Sequence, residues 1–498
     1  MTRLSDHGRM NDSAPVIVWF RDDLRLADQP ALSAAAATGA PVLCIYVFDE
    51  RSAGLRPLGG AARWRLHQSL AALSESLAGL GARLDILRGA AADVIPSLAA
   101  NAGARAIFWT RRYGGAEIAV DTHVKAILTA QGREAKSFNG QLLAEPFALK
   151  TKTGGPYRVF TPFWRALSTQ TPIAAPLPAP KRLRAAIWPK GAPDRVALGE
   201  LALLPAKPDW AAGLRATWAC GETAARDSLE AFLDEKLAGY PAERDRPDIA
   251  ATSRLSPHLR FGEISPRAIW SAARHRAEAK GAPAAGADKF LSELGWRDFS
   301  YHLLFHNPDL ATRNYDPRFD AFPWRDDDAG FAAWTRGRTG YPIVDAGMRE
   351  LWTTGFMHNR VRMIAASFLI KHLMVDWRRG EDWFWDTLCD ADPAANPASW
   401  QWVAGSGADA APYFRIFNPI LQGEKFDPAG AYVRRWIPEL ERLPNACIHK
   451  PWTAPASVLA ASGVGLGATY PAPIVDHAAA RARALAAYRS VSGGKGEA

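Results

Sequence analysis

Val16-Ile17-Val18-Trp19-Phe20, the alanine-rich segment 31–37 and Val42-Leu43-Cys44-Ile45-Tyr46-Val47-Phe48 open the chain as strand, helix and strand. Unbroken apolar runs of this kind suit strands buried on both faces, as in a parallel sheet covered by helices on either side. Helical 61–80, strand 84–87, helical 91–102 and strand 106–110 continue the alternation. The segment 14–145 is therefore predicted to be a doubly wound, parallel-sheet, Rossmann-like α/β domain. It contains neither G-x-G-x-x-G nor G-x-x-x-x-G-K-[ST], which removes the usual dinucleotide and nucleoside-triphosphate cradles.

Eight prolines between Pro172 and Pro208, set among Lys, Arg and Ala, resist regular structure and predict a long linker over 146–220. From 221 to 490 the periodicity becomes helical, with amphipathic segments at 223–237, 266–280, 288–305, 345–354, 359–377 and 381–388. The second domain is thus expected to be all-helical, with a frayed Gly-Gly-Lys tail after Ser492. The composition, 48% hydrophobic and 22% charged over 498 residues, is that of a globular protein and not of a disordered or membrane one. Four scattered cysteines without a C-x-x-C pair exclude a disulfide framework and a zinc ribbon. The polar first thirteen residues lack an apolar signal-peptide core, so a cytoplasmic protein is expected. A formal charge of +9 favours a polyanionic partner.

Of nineteen tryptophans, nine fall between Trp296 and Trp402, more than core packing demands. Between and around them lie groups suited to a phosphorylated heterocycle. Thr252-Ser253-Arg254-Leu255-Ser256 brings three hydroxyls and a guanidinium into one turn, the chemistry of a phosphate site or, more plainly, of a helix cap at Ser256. Glu293, Trp296 and Arg297 share a helix face by their i, i+3, i+4 spacing. Met357-His358-Asn359-Arg360, Asp390-Ala391-Asp392-Pro393-Ala394-Ala395-Asn396 and Trp400-Gln401-Trp402 add amides, carboxylates and indoles, able to read the edge and face of a flavin or a nucleobase. Metals fit less well. His302 and His306 stand at i, i+4 without a zinc-protease glutamate or a third ligand, and Asp390-x-Asp392 alone is a weak cation motif, so no metal site is expected.

These motifs, together with Trp19-Phe20-Arg21-Asp22-Asp23-Leu24-Arg25, Thr339-Gly340-Tyr341-Pro342-Ile343-Val344-Asp345-Ala346 and the run from Asp409 to Pro419, resemble the photolyase and cryptochrome family in order and over nearly the whole chain. The resemblance implies an N-terminal antenna domain and a helical domain that holds FAD folded into a U. Tyr240, Thr252, Ser253, Arg254, Leu255, Ser256, Phe290, Glu293, Arg297, Asn359, Asp390, Asp392 and Asn396 match the cofactor-binding positions. Asn396 matches the residue facing flavin N5, where plant cryptochromes carry aspartate, and this difference favours repair over signalling. Trp400, Trp377 and Trp324 match the chain that carries electrons to the photoexcited flavin.

The same resemblance implies light-driven repair of cyclobutane pyrimidine dimers in UV-damaged DNA. An electron passes from photoexcited FADH⁻ to a flipped-out lesion, so neither a nucleophile nor a metal is needed; a blue-light photoreceptor of cryptochrome type is the alternative. Glu293, Asn396, Trp296, Met363 and Trp402 match the catalytic pocket, and a (6-4) photolyase would be expected to place histidine at Met363. Arg244, Trp296, Asn359, Arg360, Arg415 and Gln422 match the DNA surface. For the antenna, methenyltetrahydrofolate is favoured over a deazaflavin, with Glu117 and Glu145 as contacts, although Ala116 stands where asparagine is expected. The family further implies a monomer with no obligate protein partner and no membrane, associated with the nucleoid when bound to DNA.

Overall fold

The computed structural model describes residues 14–279, 284–409 and 414–492. Positions 410–413 of the Asp409 to Pro419 run, the end of the 266–280 segment, the first thirteen residues and the Gly-Gly-Lys tail lie outside them. Strands β1 (Val16–Phe20), β2 (Val42–Phe48), β3 (Leu84–Arg88), β4 (Ala106–Thr110) and β5 (Glu134–Phe138) form one parallel sheet in the order β3-β2-β1-β4-β5. Val16 pairs with Val42 on one side and with Ala106 on the other. Alternate residues of β1 feed opposite cores: Val16, Val18 and Phe20 join one, Ile17 and Trp19 the other. This is the two-sided burial that the apolar runs predict. The polar β5, Glu-Ala-Lys-Ser-Phe, gives no such signal because it is the half-exposed edge strand.

Two features beyond the sheet domain differ from expectation. Residues 146–220 are not wholly linker: helix Phe160–Gln170 places Phe163 and Leu167 in the core built on helix Ala284–His306. Of the rest, the proline-rich part stays largely irregular. The segment 359–377 is not one helix either. Asn359–Ser367 runs into a π-helical turn, Phe368–Leu373, which ends at Met374 in the left-handed region (φ 59°). A new helix, Trp377–Thr387, then starts from Asp376, whose side chain accepts the Arg378 N–H at 2.9 Å.

The two halves meet through buried polar contacts. Leu24 N–H donates to Phe261 O at 3.0 Å and Arg25 Nη1 to Gly262 O at 2.9 Å. Gly262 has φ +63°, and a Cβ there would stand 2.2 Å from Asp22 O, so only glycine admits this approach. Beneath it Arg65 and Glu263, both fully buried, form an ion pair at 2.5 Å that also engages His258 and Ser69. Burial pushes the Glu263 carboxyl up, but the hydrogen bond from His258 and the Arg65 charge outweigh it and hold the group at about 2.

Replacing Glu263 by Gln leaves Arg65 buried and uncompensated, and we expect a loss of about 3 kcal/mol in denaturant unfolding at neutral pH. The ordinary value of this carboxyl is 4.5. The native advantage is therefore complete above that pH and declines toward about 2, so the gap between wild type and variant should close as pH falls through this window.

Candidate functional site

A cavity of about 510 Å³ opens in the helical half, within the range usual for small-molecule sites. Helix Ala284–His306 supplies one wall: its i, i+3, i+4 rows bring Lys289, Phe290, Glu293, Trp296, Arg297 and Ser300 to the cavity. The turn before helix Ser256–Arg260 contributes Ser253, Leu255 and Ser256, and helix Asn359–Ser367 contributes Asn359, Arg362 and Met363. Asp390, Asp392, Asn396, Trp400 and Trp402 enter from the segment leading into helix Ala395–Ala404. Tyr240 closes a corner with Phe290, the rings meeting edge to face at 5.7 Å.

The acidic and amide groups are held in defined orientations. Asp390 Oδ2 accepts from Ser256 Oγ at 2.5 Å and from Arg362 Nη2 at 2.8 Å, while its Oδ1 is buried without a hydrogen-bond partner among the described residues. The Ser256 hydroxyl is thus spent on Asp390; the short helix takes Leu255 as its N-cap residue and has no side-chain cap. Asp392 Oδ2 accepts from Tyr301 OH at 2.9 Å and its Oδ1 from the N–H groups of Ala394 and Ala395, both at 2.8 Å. Asn396 Nδ2 donates to Glu381 O at 3.1 Å and Glu381 Oε1 at 2.7 Å. Glu381, 1% exposed, is clasped by both Arg56 nitrogens at 2.8 Å. Two oxygen acceptors require the nitrogen of the amide on that side, which leaves Oδ1 as its acceptor for the cavity.

Glu293 is bracketed by Arg244, in direct ion pairing, and by Lys289 Nζ at 3.0 Å. Trp296 stacks on Phe160 at 3.7 Å and 8°, and Trp402 Nε1 donates to Asp409 O at 3.0 Å. Arg244 Nε and Arg297 Nη2 are, like Asp390 Oδ1, buried without partners among the described residues. Guanidinium and hydroxyl groups suit a diphosphate, and two fixed carboxylates and an amide suit the N–H edges of heterocycles, so these residues fit FAD.

Other predicted residues stand elsewhere. Thr252 and Arg254 do not line the cavity; the Arg254 guanidinium lies over Trp218 at 4.4 Å and Phe356 at 5.0 Å. Arg360 pairs with Asp245 at 2.6 Å and covers Phe426 at 4.4 Å, Arg415 is exposed, and Gln422 sits on helix Pro419–Phe426. Trp377 is buried outside the cavity, its Nε1 donating to Asn314 Oδ1 at 3.0 Å, and Trp324 packs on Phe322 at 4.4 Å. Gly380 makes room for Trp400, since a Cβ at 380 would lie 2.2 Å from that indole. His302 Nε2 accepts the Tyr157 N–H at 2.9 Å, a structural use of the ring. Glu117 and Glu145 belong to the N-terminal half, where Glu145 pairs with Arg111 at 2.5 Å.

Four cavity or supporting residues escaped the sequence reading: Lys289, Arg362, Glu381 and Arg56. Arg362 could have been found, three residues after Asn359 on the same helix face. The Arg56–Glu381 pair could not, because 325 positions separate its members.

Residues 16–181 match the family model described as DNA photolyase, and residues 290–490 the one described as the FAD binding domain of DNA photolyase. The chain is 56% identical over 484 residues to a deoxyribodipyrimidine photo-lyase of Agrobacterium fabrum, covering 96% of this chain and 98% of that protein. It is 41% identical to cryptochrome-1 of Arabidopsis thaliana, over 94% of this chain and 69% of that one. The fold superposes on the crystal structure of a bacterial class III photolyase from Agrobacterium tumefaciens with a TM-score of 0.93 at 55% identity, covering 98% of this chain and all of that one.

Because Asp390 offers an unpaired buried oxygen, Asp390→Ala should raise the dissociation constant for FAD by at least roughly tenfold, the scale of one hydrogen bond to a charged group. Flavin fluorescence during reconstitution of the stripped protein measures this.

Proposed function

The chain belongs to the photolyase and cryptochrome family, and we propose that the 510 Å³ cavity of its helical half receives both FAD and the DNA lesion it repairs. The protein is a deoxyribodipyrimidine photo-lyase, a DNA-repair lyase that splits cyclobutane pyrimidine dimers in a light-dependent reaction. The observation that carries this reading is that the residues suited to FAD and those suited to a flipped dimer line the same cavity. When bound in reduced form, FAD supplies the photoexcited electron that opens the cyclobutane ring and is returned at the end of the cycle.

The chain's own residues bind, orient and exclude water. Asp390 and Asp392 would take the hydrogen-bond donors of the cofactor, Arg297 and the Ser253 hydroxyl its acceptors, while Ser256 holds Asp390 in place and Tyr240 and Phe290 close the site. Asn396 Oδ1 would accept a hydrogen bond from a ring N–H that the flavin gains only on reduction. A distorted, poorly paired dimer is cheaper to extrude than intact bases. Trp296, Met363 and Trp402 form its apolar walls, and Glu293 accepts from its base edge once Arg244 turns to the phosphate backbone. Arg360, Arg415 and Gln422 lie along the duplex with Arg244 and Asn359, so binding is salt-dependent. Trp400, Trp377 and Trp324 would serve as the electron relay when bound flavin has to be reduced, a role that repair by pre-reduced enzyme would not require.

An antenna pigment, methenyltetrahydrofolate, is proposed for the N-terminal domain over 14–145, with Glu117 and Glu145 as contacts. No helix among the described residues is long and apolar enough to cross a membrane.

The deciding experiment is an absorption spectrum of the purified protein, followed by blue light on a thymine-dimer oligonucleotide under reducing conditions. Flavin bands with recovery of thymine absorbance are expected; flavin without recovery would indicate a photoreceptor. Trp400→Phe should slow photoreduction of oxidised flavin and leave repair by pre-reduced enzyme largely intact. Glu293→Ala should weaken repair more than it weakens flavin retention; equal loss of both would place Glu293 on the wrong ligand.

A further inference from the structure

Lys371 is a lysine in an apolar place. It lies in the π-helical turn Phe368–Leu373, all six residues of which are buried, and is itself 3% exposed. It makes no ion pair with a carboxylate among the described residues. Its ammonium donates to the backbone carbonyl of Arg415 and sits 4.2 Å from the centroid of the Phe414 ring. Phe414 is stacked in turn on Tyr488 of the helix His477–Ser492, at 4.7 Å and 8°. A small cavity of about 30 Å³ beside these groups is lined by Lys371, Phe414, Arg415 and Tyr488 together with Trp402. The lysine thus stands directly behind the segment that bears Arg415 and close to an aromatic wall of the main cavity.

An uncompensated ammonium is costly to bury, and an apolar residue would fill the same volume without that cost. Among the described residues, the groups facing Lys371 offer it no anion. Arg415 approaches from the segment, His372 is its neighbour on the turn, and His477, Arg483 and Tyr488 come from the last helix. His372 Nε2 is 2.9 Å from His477 Nδ1, and Arg483 Nη2 donates to His372 O at 2.6 Å. Burial holds both imidazoles below their ordinary value. Burial and the Arg415 charge likewise lower the Lys371 amine to about 7. The contacts left to account for the residue are the Arg415 carbonyl and the Phe414 face.

We propose that Lys371 is a positioning residue for DNA recognition: by pinning the Arg415 carbonyl and the Phe414 ring, it fixes the 414–417 segment so that the Arg415 guanidinium is presented to the phosphate backbone beside Trp402. The proposal rests on the reading of Arg415 as a DNA contact. A charge-assisted hydrogen bond and a cation–π contact both weaken when the amine loses its proton. Damaged-DNA affinity should therefore carry a component that declines as pH rises from 6 to 8.

The test compares FAD-loaded wild type, Lys371→Met, Lys371→Arg, Arg415→Ala and the double variant Lys371→Met/Arg415→Ala, binding a thymine-dimer oligonucleotide in the dark across salt and pH. Lys371→Met should weaken binding about tenfold at pH 6.5, with a log–log salt slope shallower by about one, the signature of one lost phosphate contact. It should also lose the pH-dependent component and keep full flavin content. Lys371→Arg, a permanent cation, should retain affinity at both ends of the pH range. The double variant should bind no more weakly than the worse single one, because both act through one contact. Wild-type affinity in Lys371→Met, loss of flavin along with DNA binding, or additive losses in the double variant would overturn the proposal while Arg415→Ala alone still weakens binding. Wild-type affinity and salt slope in Arg415→Ala would instead overturn the reading of Arg415 beneath it.

Discussion

The paired hydrogen bonds between Arg56 and Glu381 are the interaction on which the site depends. Arg56 comes from the N-terminal half, Glu381 from helix Trp377–Thr387, and the two terminal nitrogens of the guanidinium each reach a carboxylate oxygen at 2.8 Å. A buried carboxylate without such a partner would be driven toward its neutral form, and it could then offer a proton where Asn396 needs an acceptor. With Arg56 in place Glu381 accepts from Asn396 Nδ2, and the amide has one possible orientation. One polar atom facing the cavity is thereby set by a residue of the other half of the molecule. The cation also lies 4.2 Å above the Trp385 ring, so the same contact fastens the two halves together.

The tryptophan excess resolves into separate uses once each indole is placed. Trp19, Trp64 and Trp109 are simply core residues of the N-terminal half, with Trp19 and Trp109 tilted against each other at 6.0 Å. Trp334 is core as well, stacked on Phe384 and edge to face with Trp400. Trp296 and Trp402 line the cavity, each held by one contact behind it: Trp296 stacks on Phe160 and Trp402 Nε1 donates to Asp409 O. Trp400 spans two roles, since it lines the cavity and packs into the core behind it.

What was legible in the sequence follows the range of the forces involved. Strands β1, β2 and β4 were readable to the residue because burial on both faces writes a continuous apolar run. The wall carrying Glu293, Trp296 and Arg297 was readable because helical spacing is local. The break at Met374 was not: a left-handed non-glycine residue leaves no compositional mark, and the apolar pattern of 359–377 runs through it. The place of helix Phe160–Gln170 was hidden by its proline-rich neighbours, although Phe163 and Leu167 show helical spacing. The Arg56–Glu381 contact and the Lys371–Arg415 contact depend on tertiary placement alone.

Gly380 bears on the history open to this protein. Its missing side chain is occupied by the edge of Trp400, 2.2 Å from where a methyl group would begin, and Leu369 Cδ2 stands 2.7 Å away on another side. Substitution there therefore does not grade smoothly from small to large. The smallest possible change already collides with a rigid indole that faces the cavity, and the backbone helix around it has no slack to absorb the shift. A lineage that traded this position for alanine would have to relocate the indole in the same step, so drift at residue 380 and drift at residue 400 are bound into one event.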